Sequence, residues 1–542
     1  MKPFRWPTLR QVHGALAPLV LLSAAACKGG HYAPVSAGTP STETPPTARL
    51  VFVTDLAGVV EPCGCTRNQL GGISHFAAWI ARERSRAAAT VIASAGPQFF
   101  MNARLEGDSA DQDRAKASVI ARLMHALGWA AFAPADSDFA DGADEFAKLV
   151  QLSGATPLTS DDAAAPWATV SVRAVGALHV GFVGVSSPAE GAAARGVQTA
   201  VRRAVGRAKA MGANVVVALT SVGRGEAKRL ADAVPELLAV VVGSTKSGGE
   251  QNIPAPEPER VGNVLIVQAA NHLQSVAVLD ITLGEPVEAG VIVELSDATG
   301  IELASARASV ERRRDDLRTK IAVWERDPSV LRRDLEARRR DLAQLDAEAA
   351  RLAVARAPTT GSFYRYAVEE VRDSLGTEPA ADRELLAYYK AVNEHNRAAF
   401  ANRTPAPSRP NEAGYVGGEA CATCHSEARG VWARTAHASA YATLEKGFKE
   451  FNLECVGCHV TGYGKPGGST VTHVDNLRNV QCESCHGPGS KHVLAPQASN
   501  IVASPAPATC IDCHRPPHVE NFDAALRMAD ILGPGHGMPA RR

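Results

Sequence analysis

The chain reads Cys421-Ala-Thr-Cys424-His425, and it repeats this pattern at Cys455-Val-Gly-Cys458-His459, Cys482-Glu-Ser-Cys485-His486 and Cys510-Ile-Asp-Cys513-His514. In each copy two thiols stand three positions apart and an imidazole follows directly. Such a pair of thiols can bond the two vinyl groups of one porphyrin while the adjacent imidazole binds the iron. The pattern therefore predicts four covalently attached c-type haems.

A pair of zinc ribbons is the alternative explanation for these cysteines, because zinc sites also use Cys-x-x-Cys pairs. Zinc ribbons would not require a histidine directly after each pair. Residues 411–542 are therefore predicted to form a mainly helical or irregular haem domain. Aromatic residues make up only 5% of the chain, so we expect the porphyrins themselves to form much of the core of this domain, and the haem-free form not to fold compactly.

The iron ligands follow from the same region. The histidines that close the motifs are predicted proximal ligands: His425, His459, His486 and His514. The candidate distal ligands are His437 and His492 first, then His473 and His518, and His536 last. Only Met528 and Met538 could supply a thioether there, so two histidines per iron are favoured. Haems ligated in this way have lower reduction potentials than Met/His haems.

The composition narrows the choice of partners and compartment. The 542 residues contain 57 basic and 57 acidic side chains, and this balance gives no indication of a nucleic-acid partner. Eight of the 11 cysteines belong to the haem motifs, which leaves Cys27, Cys63 and Cys65.

Cys27 belongs to a predicted export signal. Lys2, Arg5 and Arg10 precede an apolar run over 15–26 that is too short to span a bilayer. Leu22-Ser-Ala-Ala-Ala-Cys27 resembles a bacterial lipobox, which implies a signal peptide over 1–26 and lipidation of Cys27; the alternative is ordinary secretion with cleavage near Ala26. Residues 27–48 are rich in Pro, Ser and Thr and are predicted to be a tether. We expect the protein on the periplasmic side of a bacterial envelope, held by its lipid, and Lys28 favours the outer membrane.

Residues 49–285 alternate between short β-branched runs and amphipathic helices. This pattern predicts an α/β sandwich with largely parallel, buried sheets. The predicted strands are 50–54, 90–94, 169–172, 179–185, 214–219, 237–242, 264–267 and 275–281. The predicted helices are 73–84, 114–127, 200–211 and 226–233.

Short landmarks in this region resemble the calcineurin-like metallophosphatase domain of the 5'-nucleotidase family. They are Phe52-Val-Thr-Asp55-Leu-Ala-Gly58, Leu70-Gly-Gly-Ile73, Ala135-Asp136-Ser137-Asp138-Phe139, Leu219-Thr-Ser221-Val-Gly223 and Gly243-Ser244-Thr-Lys246. The resemblance implies a dinuclear metal site with a catalytic histidine, of which Asp55 remains. The other family positions hold Ala57, Pro97, Asp136, Ser137, Ser221, Ser244 and Lys246. Since fold does not imply function, we predict a degenerate phosphatase scaffold and assign no catalytic residue.

Cys63 and Cys65 lie in Glu61-Pro62-Cys63-Gly64-Cys65, directly after the first predicted strand. A disulfide between them is expected in an exported protein. One interpretation is a structural clip. The other is a redox-active dithiol, or a soft-metal site, that communicates with the haems.

Residues 300–357 change character. Leu303, Val310, Leu317 and Trp324 recur every seven positions among charged residues, which predicts a coiled-coil helical hairpin. Its apolar stripe is most simply an internal packing seam, although the sequence leaves dimerisation open. Residues 358–410 are predicted to be a helical connector that ends in a Pro-rich linker.

From Gly414 onward the chain resembles the tetrahaem cytochrome c family whose best-known member, cytochrome c-554, accepts electrons from hydroxylamine oxidation. The resemblance rests on Tyr415-Val-Gly-Gly-Glu-Ala-Cys421, Trp432-Ala-Arg-Thr-Ala-His437 and Val480-Gln-Cys482-Glu-Ser-Cys485-His486-Gly-Pro-Gly-Ser-Lys-His492. It implies closely packed haems, some with two histidine ligands, and leaves room for one open axial position.

Three hypotheses follow. The favoured one is an exported electron carrier whose α/β domain is a scaffold or docking module, with a redox protein or a quinone-linked donor or acceptor as partner. The second is a haem-based oxidoreductase that acts on a small molecule, of the nitrogen-oxide type, at an open axial site. The third, a phosphohydrolase with an electron-transfer appendage, conflicts with the lost metal ligands.

Overall fold

The computed structural model describes residues 45–63, 69–87, 89–160, 167–185, 192–516, 518–519 and 522–537. The predicted signal peptide, Cys27, Cys65 and Met538 lie outside these ranges, and Cys63 is described in its backbone alone. Among the described residues, the helices are all too short or too polar to cross a membrane.

The strands belong to two large sheets and one small ribbon. In chain order they are β1 Ala48–Thr54, β2 Pro62–Cys63, β3 Leu70–Gly71, β4 Thr90–Ala95, β5 Trp129–Ala133, β6 Thr156–Pro157, β7 Val170–Val175, β8 Leu178–Val185, β9 Val215–Ser221, β10 Ala239–Gly243, β11 Glu259–Val261, β12 Val264–Val267, β13 Ser275–Thr282, β14 Ser296–Asp297 and β15 Phe363–Glu370. The first sheet has the order β14-β15-β13-β1-β4-β5-β6, the second has the order β11-β12-β10-β9-β8-β7, and β2 pairs with β3.

Parallel pairing dominates the centre of both sheets. β1, β4, β5 and β6 run parallel, as do β8, β9, β10 and β12. β13 pairs antiparallel with β1 and β15, β7 with β8 and β11 with β12, whereas β14 runs parallel to β15. The carboxyl ends of parallel strands meet at one edge of a sheet, so the loops after β1 and β4 share an edge of the first sheet and those after β9 and β10 an edge of the second. The two edges adjoin, since Ser244 after β10 donates to Asp55 after β1.

The helices of the α/β region are α1 Ile73–Glu83, α2 Ala110–Leu127, α3 Ala143–Ser153, α4 Ala192–Ala210 and α5 Arg224–Ala233. They are followed by α6 Ile301–Trp324, α7 Arg332–Val354 and α8 Pro379–Ala399. The haem region contains α9 Gly418–Ala422, α10 Ser426–Trp432, α11 Ala440–Lys446, α12 Val456–His459, α13 Cys482–His486, α14 Ser490–Leu494 and α15 Ala524–Met528.

Three apolar clusters hold the α/β region together. The inner faces of the two sheets pack on each other through residues such as Phe52, Phe182 and Leu219. The outer face of the first sheet packs against α1, α2 and α8, and that of the second sheet against α4 and α5. The α/β region is therefore a four-layered sandwich in which burial of β-branched strands supplies most of the stabilisation.

The predicted strands between residues 50 and 281 all overlap observed strands, and the four predicted helices are α1, α2, α4 and α5. The prediction that residues 358–410 form a helical connector was wrong for Phe363–Glu370, which is strand β15. Its aromatic and β-branched residues pair along the full length of β13, and Tyr364 and Tyr366 are buried between the sheets. The remainder of the connector forms α8, which packs into the core of the first sheet.

α6 and α7 lie side by side and run in opposite directions. The guanidinium of Arg307 donates to the carbonyls of Leu352 and Ala355, while Arg339, near the other end of the pair, is 2.6 Å from Glu325. Most of their side chains are exposed or half-buried. Coiled-coil packing of this pair stays a prediction.

The haem region has few buried apolar side chains of its own. Its apolar cluster consists of Tyr441, Val456, Val460 and Val474, with Tyr463 packed against it. The Pro-rich linker is fastened to this region, since Thr472 donates to the Phe400 carbonyl and Thr470 to that of Arg403.

Candidate haem sites and the neighbouring cleft

Each Cys-x-x-Cys-His motif lies on a short helical turn. The third motif is α13, the second runs from the cap of α12 to its end, and Cys510 lies in a 3₁₀ turn over Pro507–Asp512. In the first motif Cys421 lies in α9 and His425 caps α10. A helical turn brings residues three and four positions apart onto one face, so the local fold directs both thiols and the imidazole of a motif to the same side.

The thiols bring the motifs together in two pairs. The thiols of Cys421 and Cys482 lie close together, and their interaction lowers the pKa of Cys482 to about 7. The thiols of Cys513 and Cys458 interact in the same way, and the pKa of Cys458 is also lowered to about 7. The first motif therefore lies against the third, and the second motif against the fourth.

Three of the motif histidines face a second histidine. The ring centroids are 6.2 Å apart for His425 and His492, 6.1 Å for His514 and His437, and 6.4 Å for His486 and His536. Burial lowers the pKa of His437, His514 and His536. A lowered pKa keeps an imidazole neutral, the form that binds a metal.

His459, in the second motif, has His518 as a neighbour close enough for their charges to interact. His473 is held differently: its Nδ1 lies 3.1 Å from the Thr472 hydroxyl and its backbone N–H donates to Thr470. Of the candidate distal histidines, His437 and His492 thus each face a motif histidine, His518 lies near one, and His536 has the place beside His486.

Several of these imidazoles are oriented through Nδ1. That nitrogen lies 2.6 Å from the Ala440 carbonyl in His459, 2.7 Å from the Val502 carbonyl in His486 and 3.0 Å from the Gln497 carbonyl in His492. A carbonyl only accepts, so Nδ1 carries the proton and Nε2 is left with its lone pair. Metal-binding histidines are typically oriented in this way.

The residues present fit a c-type haem. Each motif offers two thiols and one imidazole on one turn, and three motifs offer a second imidazole across a gap. Zinc–imidazole bonds are about 2 Å long, and an iron bonded to both rings at a similar distance fits between ring centroids 6.1–6.4 Å apart. Neutral imidazole nitrogens and thiols are the donor groups that haem attachment requires.

Glu483 is a residue of this site that sequence reasoning missed. It lies inside the third motif, is 1% exposed, and its carboxylate accepts from the backbone N–H groups of Val416, Gly417 and Gly489 at 2.7–3.1 Å. It therefore ties the third motif to the segment that precedes the first. The Cys-x-x-Cys-His pattern allows any residue at position 483, so the only signal in the sequence was that a carboxylate stands there.

In the α/β region, Asp55 follows β1 at the carboxyl edge of the first sheet. Its carboxylate accepts from the backbone N–H and the hydroxyl of Ser244, both at 2.7 Å. It also packs against Gly96, where an added Cβ would lie 1.9 Å from Oδ1. Burial raises the pKa of Asp55 to about 6, against the opposing effect of the Ser244 hydrogen bonds. The surviving family carboxylate is thus bound by the serine that replaces a family histidine.

Other side chains near Asp55 are likewise held by internal hydrogen bonds. Asp138 accepts from the backbone N–H groups of Gln98, Phe99 and Ala135 at 2.8–2.9 Å, and burial raises its pKa to about 7. Ser221 donates to the Ala133 carbonyl at 3.0 Å, and Lys246 is exposed. These side chains serve the fold of the loops.

His272, which matches no family ligand position, lies beside Asp55. Its backbone N–H donates to the Asp55 carbonyl at 2.9 Å, and its ring contacts Asn252 and Asn271. The ring is fully buried and burial lowers its pKa to about 4, so the imidazole is neutral over the physiological range. The sequence signal that could have indicated His272 is its place in the loop after the parallel strand β12.

The α/β region has structural relatives of low identity. The thiohydrolase SoxB of Thermus thermophilus is 16% identical, with a TM-score of 0.36, over 45% of this chain and 55% of that protein. A 5'-nucleotidase precursor, also from Thermus thermophilus, is 18% identical, with a TM-score of 0.41, over 66% of this chain and 61% of that protein.

The haem region matches a known family and a characterised cytochrome. Residues 420–487 match the family model described as cytochrome c554 and c-prime. Over 108 residues the chain is 35% identical to cytochrome c-554 of Nitrosomonas europaea, which covers 17% of this chain and 46% of that relative. The chain thus spans less than half the length of the cytochrome. Its C-terminal region carries a domain of the cytochrome c554 type, a type that holds four c-type haems.

Proposed function

We propose that this protein is an exported electron carrier, in which the α/β domain is a scaffold or docking module without hydrolytic activity. When bound, each haem supplies one-electron exchange between ferric and ferrous iron. The observation that carries the proposal is the approach of three motif histidines to a second histidine at 6.1–6.4 Å. If both imidazoles of a pair held the iron, no position on it would remain for a substrate, which favours electron transfer over catalysis.

The proposed ligand pairs are His425 with His492, His486 with His536, His514 with His437, and His459 with His518. The first three follow from the ring separations, and the fourth from the proximity of the two side chains. We assign His536 to His486, because the two ring centroids lie 6.4 Å apart.

The absence of hydrolysis is proposed from the contacts of Asp55. A two-metal hydrolase needs carboxylates and histidines that converge on its cations. Here the carboxylate of Asp55 is taken up by Ser244, and Pro97 stands where the family has a bridging aspartate. The supporting observation is therefore an existing set of hydrogen bonds that metal binding would have to break.

The alternative function is oxidation or reduction of a small molecule at one open haem. The second motif favours it most, since three motif histidines have a second ring at 6.1–6.4 Å and His459 is not among them. If His518 does not bind the iron in solution, that iron has a free position for a diatomic or nitrogen-oxide ligand. Ligand binding to the holoprotein separates the two functions.

Cys63 and Cys65 are proposed to form a redox-active pair that exchanges electrons with the haems, although Cys65 lies outside the described residues. The support comes from Glu61, two residues before Cys63. Its carboxylate is 3.0 Å from Lys449 Nζ and accepts from the Tyr389 hydroxyl at 2.5 Å, close to the second motif. Thiol titration after mild reduction should report two new thiols per chain within the potential range of the haems, and a midpoint far below that range would exclude the exchange.

We further propose that the protein is lipidated at Cys27, lies on the periplasmic side of the envelope and exchanges electrons with a redox protein or a quinone-linked donor or acceptor. The basic residues before the apolar run over 15–26 and the lipobox-like stretch support this. Mass spectrometry of the mature N-terminus would show a diacylglyceryl cysteine. Cleavage elsewhere with a free Cys27 would exclude lipidation.

The electron-carrier proposal is tested with the matured full chain. Intact-mass analysis should give four haem additions, and a potentiometric titration followed in the visible bands should be reversible over all four. Fewer than four haems, or irreversible reduction, would contradict the proposal.

A further inference from the structure

The segment that precedes the second haem motif is fastened to the α/β domain residue by residue. Lys449 pairs with Glu61 at 3.0 Å and its ammonium lies 4.3 Å from the centre of the Tyr389 ring. Phe451 donates its backbone N–H to Asn393 and accepts from Asn396 through its carbonyl, at 3.0 and 2.9 Å. The approach to Cys455 is thereby fixed against α8.

A buried amide network continues this contact to α2. Gln112 Oε1 accepts from the backbone N–H of Leu453 at 2.9 Å and from Asn396 Nδ2 at 3.0 Å, and its amide lies 3.3 Å from Asn452 Oδ1. Gln112, Asn396 and Asn452 are each no more than 2% exposed. Hydrogen bonds between buried amides favour one geometry, because a lost partner leaves an unpaired polar group.

Lys116, one helical turn further along α2, adds a charge to this contact. It pairs with Glu454, the residue directly before Cys455, and its Nζ is 3.6 Å from Asp113. The Lys116 side chain is 9% exposed and that of Glu454 is 49% exposed. Burial acts to lower the pKa of Lys116, but Glu454 and Asp113 raise it above its ordinary value, so the ammonium stays charged.

We propose that the α/β domain completes the site of the haem held by Cys455 and Cys458, and that Lys116 raises the midpoint potential of that haem. A positive charge near the iron favours the reduced state, which carries one positive charge less. The effect is stronger where the charge is removed from water, because screening is weaker there. The inference rests on the proposed electron-transfer function, since it concerns the potential of a haem that transfers electrons.

Lys116 is a positioning and tuning residue in this account, and the matched control is Lys148. That lysine lies on α3, its side chain is 72% exposed, and its carboxylate partner is Glu145. Both Lys116→Met and Lys148→Met remove one positive charge from the same domain. Only the first removes a buried charge beside the second motif.

The experiment is a spectroelectrochemical titration of the matured full-length variants, resolved into four haem components. Lys116→Met should shift one component to lower potential and leave three unchanged, Lys148→Met should shift none, and Lys116→Arg should keep the wild-type value. A fully haem-loaded Lys116→Met protein with four wild-type potentials, or with four equal shifts, would overturn the inference.

Glu454→Gln supplies an independent readout in case Lys116→Met does not fold or does not load haem. Its side chain is half-exposed, and the variant removes a negative charge, so the same component should shift to higher potential. No shift in a loaded Glu454→Gln protein would also overturn the inference. Wild-type protein that carries no haem at all would instead contradict the proposed function. The failure of the inference and the failure of the proposed function are therefore distinguishable.

Discussion

The α/β region and the haem region are stabilised by different interactions. The two sheets and their helices bury continuous apolar clusters on both faces, with residues such as Phe76, Phe132 and Phe182 fully inside. Among its described residues, the haem region has one small cluster around Tyr441, Val456, Val460 and Val474. The first region can fold on side-chain burial alone, whereas the second depends on its prosthetic groups for a core.

The largest effect is expected when the haems are removed, because only the haem region should then lose its core. In full-length protein produced without haem attachment, the haem region should lose its cooperative transition while the α/β region melts as in the holoprotein. The measurement is far-UV circular dichroism with limited proteolysis, in which cleavage should concentrate beyond residue 411. A native-like single transition and protease resistance of the haem region would show that its side chains suffice.

Next in size is Glu483→Ala. The change leaves the backbone N–H groups of Val416, Gly417 and Gly489 without their buried acceptor, which should cost about 3 kcal/mol of unfolding free energy in the holoprotein. Chemical denaturation followed at the haem absorption bands measures it. Glu419→Ala is the control, because that side chain is 84% exposed and pairs only with Arg429 in the described part of the chain. Surface pairs of this kind are worth less than about 1 kcal/mol.

A smaller effect is expected on the pH dependence of stability, through the buried carboxyl of Asp55. The pKa of Asp55 is raised from 3.8 to about 6, chiefly by burial. The neutral carboxyl therefore contributes stability that is fully present below pH 3.8 and is lost as pH rises through 6. Asp55→Asn removes this dependence, so between pH 4.5 and 7 the wild type should lose on the order of 1–2 kcal/mol that the variant keeps. Denaturation curves at several pH values, followed by circular dichroism at 222 nm, test the sign. Parallel pH profiles would contradict the burial of this carboxyl.

For added divalent metal ions we expect no effect on the α/β region. Because Ser244 already occupies the Asp55 carboxylate, added manganese or zinc should change neither the melting temperature of the α/β region nor its hydrolysis of nucleotide monophosphates. Metal-dependent turnover that Asp55→Asn abolishes would restore the phosphohydrolase hypothesis.

Local patterns predicted much of this molecule from sequence, and long-range contacts account for the rest. The buried strands and the haem motifs follow from short-range periodicity and spacing. Strand β15 was missed because its short aromatic run stands between helical segments and gains its structure only by pairing with β13. His536 ranks last among the distal candidates because it lies near the C-terminal end of the sequence, yet in the fold its ring lies 6.4 Å from that of His486. The interlocking of Asp55 with Ser244 likewise depends on two strands that meet only in the fold.

The most direct test of the central proposal is low-temperature EPR of the oxidised, matured protein before and after addition of nitric oxide. If four irons each have two histidine ligands, four low-spin signals will persist unchanged by nitric oxide, and the protein is a carrier. A high-spin signal that nitric oxide abolishes would reveal an open haem, with the second motif as its first candidate, and would contradict the carrier account in favour of catalysis.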